Sequence, residues 1–352
     1  MVMAQSPSTF ARVGDLALAR ANHTATLLPN GKILVAGGVS AAAGPPLATA
    51  ELYDPSTRMF SATGDLTTAR AGHTATLLPN GKVLIAGGVG DANGQPLASA
   101  ELYDPSTGAF SQTGNMISSG IGRSTLLHDG SVFIAVNGTA AQIYDPATGT
   151  FSVTNSYATP GGLLIDTASL LSDSRVLVAG CNATCSAGAN ELYDPGDGTF
   201  HLTDPRVAWQ TVSTATLLMN GKVLFVEGND SGLPDDAEIY DPGSDAFTAI
   251  GNTIGVHEFS AAVLLADGTV LIVGGQLPGG NGSAATELYV PTTGTFLFAG
   301  NMTAGRHQHT ATVLPDGTVL VAGGFSNWPS ATSSAEIYQS KQKRGRAQVT
   351  SE

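Results

Sequence analysis

The sequence predicts an all-β fold in which seven four-stranded blades close into a ring, a β-propeller. Three observations predict it: the composition, a seven-fold internal repeat, and a first strand that matches the one missing from the last repeat. Glycine contributes 44 of 352 residues and charged residues only 12%, against typical shares of about 7% and about 25%. Val, Ile, Thr and Tyr recur in short runs between turn-forming residues. A disordered polymer and a charged helical bundle are both excluded.

The repeat is plain in one segment that returns almost unchanged. HTATLLPNGKILVAGG at 23–38 recurs as HTATLLPNGKVLIAGG at 73–88 and as HTATVLPDGTVLVAGG at 309–324. A second segment, AELYDP and its variants, counts all seven copies by one tyrosine in each: Tyr53, Tyr103, Tyr144, Tyr193, Tyr240, Tyr289 and Tyr338. A fixed period of this kind is the signature of a repeat architecture.

Each repeat is predicted to form four strands. In the second copy these are ATLL, KVLIA, AELYD and a strand that begins near Phe110, with Pro-Asn-Gly and Ser-Thr-Gly turns between neighbours, as tight hairpins require. The second strand is apolar on consecutive residues, so both of its faces are expected to be covered by neighbouring blades.

The seventh repeat ends at Tyr338 without a fourth strand, and the start of the chain supplies one. FARVGDLALAR at 10–20 matches FSATGDLTTAR at 60–70. We therefore expect the N-terminal strand to complete the last blade, which removes the open edges of the sheet.

The paired glycines, the tyrosine of ELYDP and the Arg-x-x-His that precedes the first strand resemble kelch repeats. The resemblance is to bacterial kelch proteins related to the propeller of galactose oxidase, and it covers residues 10–340. Phe replaces the Trp that commonly follows the tyrosine. The resemblance implies the fold strongly and function weakly, because propellers carry unrelated activities.

The long, variable segments all join the second strand of a blade to its third. These loops and the connections between blades are expected on one face, and the tight turns on the other. Binding residues concentrate on variable loops of rigid scaffolds, so this loop-rich face is the candidate site.

Three connections on that face carry the Arg-x-x-His pattern, in consecutive blades of the closed ring. They are Arg20 with His23, Arg70 with His73, and Arg306 with His309. One interpretation is structural: the side chains bind loop carbonyls and a neighbouring Glu. The other is an anion-binding or substrate-orienting patch, since Arg suits planar carboxylate and sulfate groups.

Three histidines on adjacent blades also suggest a three-His metal site, but their identical repeat positions follow from symmetry alone. We therefore predict no metal and no cofactor. The galactose oxidase resemblance implies a test for copper: that family uses a Tyr-His pair, a second His from a C-terminal domain, and a Tyr cross-linked to a Cys. Here Gly72 and Gln308 precede the histidines, and neither cysteine lies near a suitable tyrosine. Copper radical oxidation is not expected.

Residues that break the repeat are further candidates for ligand binding. Glu227 replaces the first glycine of a pair, and His257 stands in an Arg position of the sixth blade. Trp209 and Trp328 lie in loops of the same face, where aromatic rings beside charges could hold a sugar or a peptide.

Cys181 and Cys185 enter the long loop of the fourth blade. A local disulfide is the first interpretation, because the chain has the composition of an exported protein. A metal clip and two free thiols are the alternatives, although the second Cys or His pair of a zinc site is missing.

Two functions remain open. The first is an extracellular or cell-surface binding module for a glycan or protein ligand, which can be anionic. The second is a carbohydrate-active hydrolase or lyase, in which the His and Arg residues supply a base and neutralise a uronate. The sequence leans toward the non-enzymatic module.

The charge and the hydropathy of the sequence exclude two classes of partner, nucleic acids and the membrane interior. The net charge is −13, and leaving out residues 341–352, with four of the 15 bases and one of the 28 acids, gives −16. Such a body repels phosphate backbones, so nucleic acid is not an expected partner. No segment is apolar enough to insert into a membrane. We expect a monomer, a signal peptide absent from this sequence, one propeller over 1–340, and a basic, disordered tail over 341–352.

Overall fold

The computed structural model describes residues 9–207, 211–228 and 234–340. These residues form strands and no helix, so none of the described segments is a helix able to cross a membrane. The first strand is β1 (Thr9–Arg12), and blades one to three follow it as β2 (Thr24–Leu27), β3 (Ile33–Ala36), β4 (Ala50–Asp54), β5 (Met59–Ala62), β6 (Thr74–Leu77), β7 (Val83–Ala86), β8 (Ala100–Asp104), β9 (Ala109–Gln112), β10 (Gly122–Leu126), β11 (Val132–Val136), β12 (Ala140–Asp145) and β13 (Thr150–Ser156).

Blades four to seven continue in the same order, with a small extra hairpin in the last. Their strands are β14 (Leu163–Leu170), β15 (Val176–Asn182), β16 (Gly188–Asp194), β17 (Thr199–Leu202), β18 (Thr211–Leu217), β19 (Val223–Gly228), β20 (Asp236–Asp241), β21 (Ala246–Asn252), β22 (Ala261–Leu264), β23 (Val270–Val273), β24 (Ala285–Val290), β25 (Thr295–Asn301), β26 (Thr310–Val313), β27 (Val319–Ala322), the hairpin strands β28 (Phe325–Asn327) and β29 (Ser330–Ala331), and β30 (Ala335–Gln339).

The predicted propeller is confirmed. Six antiparallel four-stranded sheets follow chain order, as β2-β3-β4-β5 does in blade one, and the seventh has the order β26-β27-β30-β1. The first strands of the blades contact one another in sequence, and β26 of blade seven contacts β2 of blade one, so the ring is closed. These seven strands line the central channel.

The predicted closure by the N-terminal strand is also confirmed. β1 pairs antiparallel with β30, with Phe10 opposite Tyr338. Their rings lie 5.2 Å apart, close to the 4.9 Å between Tyr53 and Phe60 within blade one. The first strand therefore occupies the place that a fourth strand has in every other blade.

The core lies between blades, as the apolar second strands predict. In β3, Leu34 and Ala36 pack in one cluster with Val83 of blade two. Ile33 and Val35 pack in another with Leu320 of blade seven. Alternate side chains of one strand thus face opposite neighbours, and each blade is held mainly by the two beside it.

The paired glycines allow the backbones of neighbouring blades to approach each other closely. Gly37 has a φ of 64°, and a Cβ there would overlap the carbonyl oxygen of Arg70. The adjacent Gly38 donates its N–H to the same carbonyl at 2.9 Å. This contact positions the connection that carries Arg70 and His73.

Candidate functional site

The loops and connections predicted to share a face do so. Backbone bridges join each connection to the long loop of its own blade, Ala21 to Val39, Ala71 to Val89, and His307 to Phe325. At the centre of this face a cavity of about 480 Å³ opens at the end of the channel. We call it the channel mouth; its lining includes Asn22, Gly72, Ile121, Arg123, Phe259 and Gln308.

The arginines of the Arg-x-x-His pattern lie inside the blades and not at the channel mouth. Arg70 has no exposed surface. Its Nη1 donates to the carbonyl oxygens of Gly87 and Ser99, at 2.9 and 3.0 Å, and its Nη2 donates to Glu101 Oε1 at 2.8 Å. Arg20 and Arg306 are equally buried.

We call the resulting pairs the Arg–Glu latches: Arg20–Glu51, Arg70–Glu101 and Arg306–Glu336. Each ties the connection entering a blade to the third strand of that blade. In the structure, these arginines make the contacts of the structural interpretation, to loop carbonyls and to a neighbouring Glu. An open anion-binding patch is not what they form, because guanidinium groups without exposed surface cannot reach a ligand.

Two of the three histidines of the pattern bond to the preceding blade. His73 Nε2 lies 2.9 Å from Thr24 Oγ1, and His23 Nε2 lies 3.1 Å from Thr310 Oγ1. Burial, reinforced by the nearby arginine charges, lowers the pKa of His23 and of His73 to about 3. The pKa of His309 is lowered well below its usual value for the same reasons. Neutral imidazoles of such low basicity are poor general bases near pH 7.

Two of the residues that break the repeat are also internal. Glu227 is fully buried and pairs with Arg206 at 2.8 Å. His257 is fully buried too and contacts Glu287 at 2.8 Å and the carbonyl oxygen of Gly274 at 2.7 Å. Both predicted ligand contacts are corrected by the same fact: a residue whose polar atoms are enclosed and paired is part of the scaffold.

Trp328 is exposed, as expected, and Trp209 lies outside the described residues. Trp328 sits at the tip of the β28–β29 hairpin with 51% of its surface exposed. Its ring stacks on His307 at 6.3 Å. The next residue, Pro329, accepts a hydrogen bond from Ala42 N at 2.9 Å, and Ala42 lines the channel mouth. Trp328 therefore stands at the rim of the site.

The structure places a disulfide at the two cysteines. Cys181 and Cys185 are bonded, with their Cα atoms 4.9 Å apart, and the described residues include no free cysteine.

Arg123 is the charged residue that the sequence reasoning missed. It stands at the first channel-lining position after the His position, where the other blades have Thr24, Thr74, Thr167, Thr214, Ala261 and Thr310. Its side chain is exposed to the channel mouth. Nε donates to the carbonyl oxygen of Asp166 at 2.7 Å, and Nη1 donates to that of Gly122 at 3.1 Å. Comparing this column across the repeats would have found it.

The Asp166 side chain modifies the charge beside Arg123. Its Oδ2 accepts a hydrogen bond from Val212 N at 3.0 Å. Burial raises the pKa of Asp166 above its usual value, against the opposing effects of this hydrogen bond and of the charges of Arg206 and Arg123. The Asp166 carboxyl group is thus held beside Arg123 by the backbone of blade five.

The comparison with known families agrees with the repeat. The family profile described as Kelch motif matches residues 69–117, which contain the whole of blade two. The protein is a seven-bladed β-propeller with a kelch motif in its second blade. No curated protein matches the chain significantly, while 849 chains of known structure do, so the fold by itself selects no function for this propeller.

One of these structures is a fungal alcohol oxidase of the AA5 family, solved in complex with copper. It is 18% identical to the propeller over 95% of this chain and 76% of the oxidase, with a TM-score of 0.70. At this identity the likeness concerns the fold.

The residues that the structure describes do not fit copper. Imidazole and thiolate are the ligands that copper favours. Within the described ranges, no group of three or more His, Cys, Asp or Glu side chains is placed to hold a metal. Both cysteines are used in the disulfide, and His23 and His73 direct Nε2 to threonine hydroxyls.

Proposed function

We propose that the propeller is a binding module for glycans, which holds the carboxylate of an acidic sugar at the channel mouth through Arg123. The observation that carries the proposal is this one arginine, exposed to a cavity of about 480 Å³ at a position where the other six blades have Thr or Ala. A cavity of this size is typical of small-molecule sites.

Hydrogen bonds hold the guanidinium of Arg123 in place but use only some of its N–H donors. Of the five N–H groups that an arginine carries, two are used for the carbonyl oxygens of Asp166 and Gly122. The surrounding walls of the channel partly desolvate Arg123 and lower its pKa, yet a guanidinium stays charged at neutral pH. An oriented, charged fork with unused donors is suited to a carboxylate.

The remaining lining favours a sugar over a simple anion. Asn22 and Gln308 offer amides, Ser213 and Ser260 offer hydroxyls, and Phe259 adds an aromatic ring. A few polar groups beside an aromatic surface match the alternating polar and apolar faces of a sugar. A glycan ligand also agrees with the extracellular location expected from the sequence.

No observation favours the alternative of a hydrolase or lyase built on the Arg and His residues. The arginines are enclosed in the Arg–Glu latches, and the low pKa of His23 and His73 makes them weak bases. The groups that would neutralise a uronate and abstract a proton are therefore not presented to a substrate.

Calorimetry with tri-galacturonate, and with its methyl ester as the uncharged match, tests the proposal. The acid should bind and the ester should bind at least about tenfold more weakly, since a hydrogen bond to a charged group contributes about 1.5–3 kcal/mol. Arg123→Thr, which installs the residue of the other blades, should lose this preference. Added salt should weaken binding of the acid.

Arg58→Gly is the matched control, because Arg58 lies in the tight turn between β4 and β5 on the opposite face, where the second repeat has Gly108. It should bind like the unmodified protein. Equal affinity for acid and ester, or unchanged binding by Arg123→Thr, would overturn the proposal. Binding of an Asp- and Glu-rich peptide without binding of the sugar acid would reject the glycan class.

A further inference from the structure

Phe259 has a backbone conformation that its residue type disfavours. It has a φ of 52°, in the left-handed region. Residues at the same position of other blades share this conformation, namely Gly72, Asn22 and Gln308, with φ of 61°, 54° and 51°. Glycine and asparagine tolerate it, whereas a bulky side chain is an outlier there.

The backbone of Phe259 is held from both sides. Its N–H donates to Ser213 Oγ at 3.2 Å, and its carbonyl accepts from Gln308 N at 2.9 Å. Gln308 in turn is bonded to Asn22, whose N–H donates to the Gln308 carbonyl at 3.1 Å. The neighbouring blades thus fix the left-handed turn whatever side chain stands there.

Burial does not account for a phenylalanine at this place. The side chain keeps 38% of its surface exposed and lines the channel mouth together with Arg123. Strained residues that persist without a packing gain are concentrated at binding sites. The fold needs only the turn, which glycine would supply at lower cost.

We propose that Phe259 is the stacking surface for a sugar ring, so that the channel mouth selects acids carried on a ring. This inference rests on the proposed function and makes it more specific. Arg123 belongs to blade three and Phe259 to blade six, three blades apart in a ring of seven, so they approach the cavity from opposite sides. A ligand that reaches both needs a charged group at one end and an apolar face at the other.

The test separates strain from affinity with Phe259→Gly, which installs the residue of blade two. Its melting temperature should equal or exceed that of the unmodified protein, because the strain is relieved. Its affinity for tri-galacturonate should fall about tenfold, the size of one aromatic contact. Its affinity for citrate, an acid without a ring, should not change. Phe259→Tyr should keep the affinity for the sugar acid.

Two further variants protect the experiment against a folding defect. Phe259→Asn, with the residue of blade one, should behave like Phe259→Gly. Ser174→Gly relieves a left-handed serine, with φ of 76°, in the turn between β14 and β15 on the opposite face. It should affect stability without affecting either affinity.

The outcomes distinguish this inference from the proposed function. If Arg123→Thr loses tri-galacturonate while Phe259→Gly and Phe259→Asn keep it, the stacking role is overturned and the proposed function stands. A lower melting temperature in both Phe259 variants would show a packing residue instead. Equal loss of citrate and sugar acid would show that Phe259 shapes the cavity without selecting rings. Unchanged binding by Arg123→Thr would overturn the proposed function itself.

Discussion

His257 Nε2 lies 2.8 Å from Glu287 Oε1, while its Nδ1 lies 2.7 Å from the carbonyl oxygen of Gly274. Glu287 also accepts backbone hydrogen bonds from Ile254 and Gly255, at 2.9 and 2.6 Å, so its oxygens act as acceptors throughout. Both ring nitrogens therefore face acceptors. In blade six, His257 contacts the glutamate of the third strand from the position that arginine has in the Arg–Glu latches.

In blade three, neutral groups make the corresponding hydrogen bonds. Gln142 replaces the glutamate, and its Nε2 donates to the carbonyl oxygen of Ser118 at 3.0 Å while its Oε1 accepts from Ile117 N at 2.6 Å. Ser119 stands where the arginine would be. The repeat thus shows a neutral alternative to the ion pair.

We predict that Arg70→Ser destabilises the propeller strongly and that adding Glu101→Gln restores much of the loss. The single change leaves the Glu101 carboxylate buried without its partner, which typically costs about 3–5 kcal/mol. The double change reproduces the neutral pair of blade three. The free energy of unfolding in urea, measured for both variants and for Glu101→Gln alone, checks this. A double variant less stable than Arg70→Ser would show that the charge is not the cause.

The stability of the propeller should fall as the pH is lowered from about 6.5. His23 and His73 have a pKa of about 3 in the folded protein, against about 6.5 in the unfolded chain. Between these values the unfolded chain binds the proton and the folded protein does not. Each histidine therefore reduces the free energy of unfolding by up to about 1.4 kcal/mol per pH unit.

Urea unfolding of His73→Gln between pH 7 and pH 4.5 measures the share of one histidine. The variant should show a shallower pH dependence than the unmodified protein. Asp166 titrates in both proteins and cancels from the comparison. Asp54 and Asp104 each have a pKa lowered to about 2 by hydrogen bonds from one serine and one lysine, and they act only at lower pH. His201→Gln, an exposed histidine on an outer strand, is the control, and an equal slope in all three proteins would contradict the assignment.

The fold could be predicted from the sequence because the repeat encodes it locally. Every blade carries the same turns and the same apolar second strand, and the match of 10–20 to 60–70 located the closing strand. The Arg–Glu latches could be predicted for the same reason, because each of the three arginines is followed by a glutamate at the same position of its repeat. The residues that fold and stabilise a single blade can therefore be recognised within its own repeat.

The site could be predicted only in part, because it depends on residues that differ between blades. The Arg-x-x-His pattern can be recognised because its spacing repeats within this chain. Arg123, in contrast, can be recognised only because it differs from the threonines at the same position of other blades. Arg206 likewise stands in the column of Leu66 and Met116. Its pairing with Glu227 joins the connection between blades four and five to β19, a contact that the sequence does not indicate. In the sequence, the left-handed turn at Phe259 is indicated only by the glycine at the corresponding position of blade two, Gly72.

Removing residues 1–13 should lower the melting temperature markedly. The deletion takes away β1, exposes the edge of β30, and uncovers Tyr338, which packs against Phe10. Open edges also promote association between chains, so light scattering should show larger species. Removing 341–352 is the matched truncation and should have little effect. Equal melting temperatures for the full and N-terminally shortened chains would contradict closure by β1.

The disulfide should contribute modestly to stability. Cys181 and Cys185 close a loop of five residues, and chain entropy gives about 2 kcal/mol for a loop of this length. Replacing both with serine should lower the free energy of unfolding by no more than that. Mass spectrometry under non-reducing conditions should show two hydrogens fewer than the reduced chain, and alkylation of both thiols without a reductant would disprove the bond.

His309 Nε2 has no hydrogen-bond partner within the described residues. In blades two and one the corresponding nitrogen bonds to a threonine of the preceding blade. Blade six has Ala261 at that position, opposite Val273 as Thr24 is opposite Ala36. Ala261→Thr should place a hydroxyl against His309 and raise the free energy of unfolding by about 1 kcal/mol.

Ala261→Val is the matched control, because it adds the same branched shape without the hydroxyl. It should leave stability unchanged or reduced. In Ala261→Thr combined with His309→Ala, the gain should disappear, since the new hydroxyl then has no ring nitrogen to bind. If threonine and valine shift the urea midpoint equally, the effect is one of packing and the missing hydrogen bond is not its cause.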